Sequence, residues 1–321
     1  MFMRDEIDAL STPIFEQAWW LDAATGHTWD QAEVMWDNKP VGWMPYFVVK
    51  RLGVKYIRMP PYTRTLTPRF NLPAAKPVRH LDNQVRVLSE LLSRLPHHDR
   101  FEMTLSPNSE AIFPFVQLHY TAAATYTFCT PPNSDAGTLW SGLDQKTRNV
   151  IKTSRKKFTA EFHKDFDRFI KLARVQHKLN SKTDFNDYPA LTRLWEACHS
   201  RGQSIVLSVL DDKNCDVASS LLVWDNASLY FLASARDPHL SGNSANSLQI
   251  WEALSYSRER GLSFDMDGYQ SSNAASFLRT FGLSPVIRPV INKTNPLLKA
   301  ILMTKTFFFP RDDIHYRFAD L

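Results

Sequence analysis

At 321 residues, with 44% apolar and 12% aromatic side chains, the sequence has material for two globular domains and is not that of a disordered chain. A net charge of +5 is modest for this length and does not by itself identify a nucleic-acid binder, because the positive charge is concentrated instead of spread; DNA is not an expected partner. Three scattered cysteines, Cys129, Cys198 and Cys215, without CxxC or Cys/His spacing, exclude a disulfide framework and a structural zinc site.

Acids interrupt the opening "MFMRDEIDALSTP", so no signal peptide is expected. An apolar run near 18 residues is also missing, so no transmembrane segment is expected and a cytoplasmic location is. From residue 33, "EVMWDNKPVGWMPYFVVKRLGVKYIRMP" alternates β-branched and aromatic runs with Asp/Asn/Lys turns, which predicts a three-stranded meander. A turn-rich loop, "PPYTRTLTPRFNLP", follows. Val85, Leu88, Leu91, Leu92 and Leu95 then predict a helix, "RFEMTLSP" a strand, and "EAIFPFVQLHYTAAATYTF" a short helix leading into another strand.

The same order returns after residue 207. The meander is "LSVLDDKNCDVASSLLVWDNASLYFLASA" and the loop is "RDPHLSGNSAN". A helix bearing Leu248, Trp251 and Leu254 closes at Gly261; then come "SFDMDGYQ" and "NAASFLRTFGLSPVIRPVI". The offset between matching elements drifts only from about 174 to about 163 residues, as loop-length changes would produce. The pattern predicts an α/β protein with mixed sheets, built from two similar domains at 1–135 and 136–321. A cleft between them is the expected place for a ligand.

Between the repeats lies "LDQKTRNVIKTSRKKF". From Lys146 to Lys157 it carries six cations and no acid. On a helix Arg148, Lys152 and Arg155 form one stripe at i, i+4 and i+7. Uncompensated like charges destabilise a helix by roughly 0.2–0.5 kcal/mol per neighbouring pair, which points to an external phosphate as the neutralising charge. A solvated helix face is the competing explanation.

Meander, loop, helix, strand, helix and strand is the order of the GNAT acyltransferase fold. Two such units joined by the basic segment "LWSGLDQKTRNVIKTSRKKF" resemble the FemAB-like branch of that superfamily, which includes enzymes that add amino acids to peptidoglycan precursors. The most specific matches are "KTRNVIKTSRKKF", "LYFLASARDP" and "GLSFDMDGYQSSNAASFLRTFG". The resemblance covers nearly the whole chain. It implies tandem GNAT-like domains and transfer of an acyl group from acyl-CoA to an amine, on a cell-envelope or polysaccharide precursor such as a nucleotide-linked one. An aminoacyl-tRNA donor is the alternative, although no sustained heptad pattern marks the coiled-coil arm common in such enzymes. A non-catalytic nucleic-acid-binding protein is a rival from another class.

The resemblance also places the donor pyrophosphate on the loop and helix start after the second meander, at Arg236, His239, Ser241, Gly242, Asn243 and Ser244. Here the sequence departs from the usual pattern. His239 holds the basic position, one glycine is present, and Ala245 falls a residue late. Asp265 and Asp267, two apart on a predicted strand, should share one face and could take a proton from an acceptor ammonium, with Tyr269 returning one to the leaving group. A simple Asp267-Gly268 turn is the alternative. The first repeat carries Glu102 and Thr104 in the matching places, so the second is the better candidate for the active one. Tyr62 and Arg64 on the proline-rich loop are candidates for holding an acidic acceptor.

Overall fold

Asp37 and Asn38, both in the left-handed region (φ 48° and 59°), make a tight two-residue hairpin turn between β1 (Trp29–Trp36) and β2 (Lys39–Arg51). Leu52 and Gly53 (φ 51° and 82°) do the same between β2 and β3 (Val54–Ile57). In the computed structural model, residues 13–130, 134–179, 187–239, 244–266 and 272–300 are described. They form two units. The first holds Phe15–Thr125 with 287–300, and the second holds Tyr126–Val286 with Ile14.

In the first unit, α1 (Ala18–Thr25) precedes the meander; β4 (Arg69–Phe70), α2 (Pro77–Ser93), β5 (Arg100–Thr104), α3 (Ile112–Gln117) and β6 (Thr121–Cys129) follow it. Its sheet runs β1-β2-β3-β5-β12, where β12 is Ser284–Thr294, and β4 pairs with β2. β3 and β5 are parallel and the other pairs antiparallel. Val87, Leu88 and Leu91 of α2 are fully buried, each contributing about 1.5–3 kcal/mol of transfer free energy.

The second unit opens with two capped helices. Asp135 caps α4 (Ala136–Gly142) and Asp144 caps α5 (Gln145–Ser154), each side chain accepting a backbone N–H of the first turn. Then come β7 (Thr159–His163), α6 (Phe166–Leu179), α7 (Tyr188–Ser200) and the meander β8 (Ser204–Leu210), β9 (Asp216–Trp224) and β10 (Ser228–Arg236). α8 (Ser244–Glu259), β11 (Ser263–Asp265) and α9 (Ser272–Leu278) lead into β12. The sheet order is β6-β11-β10-β9-β8-β7, again with one parallel pair, β10 with β11. Leu248, Trp251 and Leu254 of α8 pack with Leu207, Leu222 and Phe264 in one core.

The predicted repeat is therefore present element for element: meander, helix, strand, helix, strand. The parallel pairs also match in register. Tyr56↔Arg100 and Ile57↔Phe101 in the first unit correspond to Ser228↔Ser263 and Leu229↔Phe264 in the second. One further step aligns Glu102 with Asp265.

The units do not follow a single cut at 135/136, because two strands carry on past it. β6 begins in the first unit and its residues 126–129 belong to the second; β12 begins in the second and its residues 287–294 belong to the first. Each unit thus takes its last strand from the other repeat. Val290–Thr294 pair with β5, and Cys129 pairs with Asp265 of β11.

Candidate active site

β11 ends at Asp265. Strand alternation puts Phe264 and Met266 into the core against α8, so Asp265 projects from the opposite face of the sheet. It is 6% exposed and sits in a row across three strands, with Tyr230 of β10 as its parallel partner and Cys129 of β6 as its antiparallel one. The Thr127 hydroxyl, itself 1% exposed, donates to Asp265 Oδ1 at 2.5 Å. Tyr230 donates its hydroxyl to Asp225 Oδ2 at 3.0 Å. Burial raises the Tyr230 phenol well above its ordinary value, and the charges of Asp225 and Asp265 add to the effect, so it stays protonated.

Tyr230 and Asp265 are also the last partners in the parallel pair. β10 runs on from Phe231 to Arg236, and among the described residues no strand pairs with that stretch on the β11 side. Among the described residues, the pairing of β10 with β11 therefore ends beside a buried carboxylate.

On the α8 side, Lys146, Asn149, Val150 and Thr153 of α5 and Ser244 at the start of α8 line an open groove of about 590 Å³. Ser154 fixes this arrangement. Its hydroxyl bonds both Val150 O (2.8 Å) and Ser244 O (2.9 Å), tying α5 to the first residue of α8.

Within the basic segment, the expectation that neutralising charge must come from outside is corrected for two residues. Arg148 donates to the carbonyls of Ser141 and Leu143, both at 2.8 Å, and of Trp140 at 3.4 Å, satisfying the C-terminal end of α4. Arg155 pairs with Glu252 of α8 at 2.8 Å. Lys152 lies 6.0 Å from the Trp140 ring centroid. Lys146, Lys152, Lys156 and Lys157 form no ion pair among the described residues.

The Arg236 backbone N–H donates to Gln176 Oε1 and that of His239 to Asp237 Oδ1, and both residues are exposed. Ser241, Gly242, Asn243, Asp267 and Tyr269 lie outside the described residues. Tyr62 (φ 58°) and Arg64 lie half-buried on a loop stitched into the first unit. There Leu66 N–H donates to Thr104 O at 2.7 Å, and Trp20 Nε1 to Thr63 Oγ1 at 3.0 Å. The buried Glu16 carboxylate accepts from Thr67 (2.9 Å), Ser106 (2.8 Å) and Arg69 (2.5 Å). Glu102, the counterpart of Asp265, pairs with Arg100 at 3.2 Å. Burial pushes its carboxyl up, against the opposing pull of Arg100 and Arg58.

Thr127, Tyr230, Asp225 and Cys129 were not singled out from the sequence. Thr127 is 138 residues from Asp265, and a pairing that distant leaves no local periodicity to read.

Residues 145–270 match the family model described as an acetyltransferase (GNAT) domain. No curated protein sequence matches the chain significantly. Among solved structures, the chain is similar to FemX, with a TM-score of 0.68 at 12% identity over 94% of this chain and 98% of that one. It is also similar to the C-terminal domain of a putative lysylphosphatidylglycerol synthetase from Agrobacterium fabrum, with a TM-score of 0.53 at 11% identity over 84% of this chain and 86% of that one. L-PGS from Bacillus licheniformis gives 0.53 at 10% identity, over 84% and 87%. At these identities the likeness is one of fold.

Proposed function

We propose that this chain is a FemAB-like N-acyltransferase of the GNAT superfamily, whose second unit moves an acyl group from acyl-CoA to an amine with Asp265 as the base. The observation that carries this reading is the parting of β10 and β11 at a buried carboxylate. Beyond Tyr230, the stretch of β10 that no described strand pairs with on the β11 side offers backbone groups to an extended donor arm, short of Arg236, whose N–H goes to Gln176. The start of α8, with Lys146 nearby, offers N–H groups and positive charge to its phosphates.

An ammonium group has no lone pair. Asp265 takes its proton, directly or through water, and the freed amine attacks the thioester carbonyl. The C–S bond then breaks and the thiolate takes up a proton. Tyr269 remains the proposed source of that proton. Tyr230 is a poor candidate because its hydroxyl is engaged with Asp225. An amine on a cell-envelope or polysaccharide precursor, such as a nucleotide-linked one, is the proposed acceptor, and the cytoplasm, where acyl-CoA is found, the proposed location. No helix among the described residues is long and apolar enough to cross a membrane.

A second reading keeps the chemistry but takes aminoacyl-tRNA as donor. It is favoured by the four lysines of the 146–157 segment that have no ion-pair partner among the described residues. Thermal melting separates the two. Acetyl-CoA at a hundred times its Kd should stabilise by about 2.7 kcal/mol and raise Tm by roughly 5 °C or more. A rise with charged tRNA and none with acetyl-CoA selects the second reading, and indifference to both removes the donor assignment.

A further inference from the structure

We propose that Thr127 is a positioning residue that orients the Asp265 carboxylate for proton abstraction; this rests on the reading of Asp265 as the base. β11 is three residues long and Asp265 is its last, so its carboxylate stands at a strand end. Two contacts from β6 hold that end. Met266 N–H donates to Phe128 O at 3.0 Å, and the Thr127 hydroxyl donates to Asp265 Oδ1 at 2.5 Å. Both side chains of the second contact are more than nine-tenths buried, so water does not compete for it.

The duplicate supplies the comparison that gives this contact a meaning beyond packing. In the first unit Asn292 of β12 lies opposite Glu102, as Cys129 of β6 lies opposite Asp265. Two residues back along each exchanged strand, Val290 stands where the second unit has Thr127. Valine and threonine have the same shape, so the position does not require a hydroxyl to fill space. The first unit instead holds its carboxylate with the Arg100 guanidinium. A hydroxyl that donates to one carboxylate oxygen fixes which oxygen is left to meet an incoming proton. The hydroxyl is present beside the acid proposed as the base and absent at the matching position of the first unit, where Val290 stands.

The test is a double-mutant cycle on the full chain, read as kcat and donor KM. Thr127→Val should lower kcat roughly ten- to a hundredfold, the rate equivalent of losing a hydrogen bond to a charged group, with KM for the donor unchanged. Thr127→Ser should restore most of the rate. In an Asp265→Asn background, Thr127→Val should add nothing, because the hydroxyl acts through the carboxylate. A Thr127→Val enzyme with wild-type kcat, or effects of the two substitutions that multiply, overturns the proposal. Wild-type kcat in Asp265→Asn removes the base assignment itself, whereas an inactive Asp265→Asn beside a fully active Thr127→Val removes Thr127 alone.

Discussion

In the first unit, the chain leaving β3 at Ile57 folds back, and Leu66 hydrogen-bonds Thr104 just past the parallel pair, with the Glu16 network behind it. In the second, the strand leaving the same register point continues to Arg236, and no described strand pairs with that stretch on the β11 side. The two repeats share order and register and differ in what becomes of the space where two parallel strands diverge. One fills it with its own backbone and pairs its acid with Arg100; in the other no described strand fills it, and the acid accepts a hydrogen bond from Thr127. On the proposed reading, a duplicated fold keeps the scaffold in both copies while the chemistry is confined to one.

The sharpest way to break this comparison is to remove each acid in turn. Asp265→Asn should cost at least about a hundredfold in kcat, the usual contribution of a general base, while Glu102→Gln should leave kcat within about twofold. Equal losses would show that the units are not differentiated as described. The glycines next offer a contrast in stability. A Cβ on Gly282 (φ 69°) would lie 2.1 Å from Gly142 O, so Gly282→Ala should cost about 3 kcal/mol or more in thermal melts. Gly53 in the first unit also has a positive φ (82°) but meets nothing within 4 Å, and its alanine variant should cost only about 1 kcal/mol.

Smaller effects follow at the donor groove. Titration calorimetry should find one acetyl-CoA per chain, and Lys146→Gln should weaken it roughly three- to tenfold without changing kcat, the scale of one exposed phosphate contact. Two equivalents bound would mean that the first unit also accepts donor.

The smallest concerns His163. Its Nδ1 accepts the Asp165 N–H at 3.1 Å, which leaves Nε2–H to face Ser208 Oγ at 2.9 Å, so the neutral ring fits this setting. Burial, then the Arg168 charge, hold it below the ordinary 6.5, against the nearby acids Glu161, Asp216 and Asp165. The stability it lends is complete above about pH 6.5, the unfolded value, and is lost as pH falls through the depressed folded value. Melting temperatures at pH 7.5 and 5.5 should therefore converge in His163→Gln, by on the order of 1–3 °C.

Much of this architecture was legible from residues alone, because hairpin turns and helical periodicity are local signals. "DNKP" marks the β1–β2 turn, and the leucines of α2 and α8 mark their buried faces. The matching of Glu102 with Asp265 was legible too, since each follows a Phe on the strand after its helix. What escaped depends on distant partners. Arg155 looked uncompensated because its acid, Glu252, is 97 residues away. Arg148 looked like a phosphate ligand because carbonyls at a helix end have no sequence signature. The exchanged strands, and with them the Thr127 contact, also join residues far apart in the chain.

That exchange has a consequence for how the protein is made. β5 finds its neighbour β12 roughly 190 residues later in the chain, so at about 5–20 residues per second a nascent first unit waits ~10–40 s with that edge uncovered. A ribosome-bound fragment ending before residue 287 should therefore be a client for chaperones, and a gene cut between the repeats should yield two insoluble products.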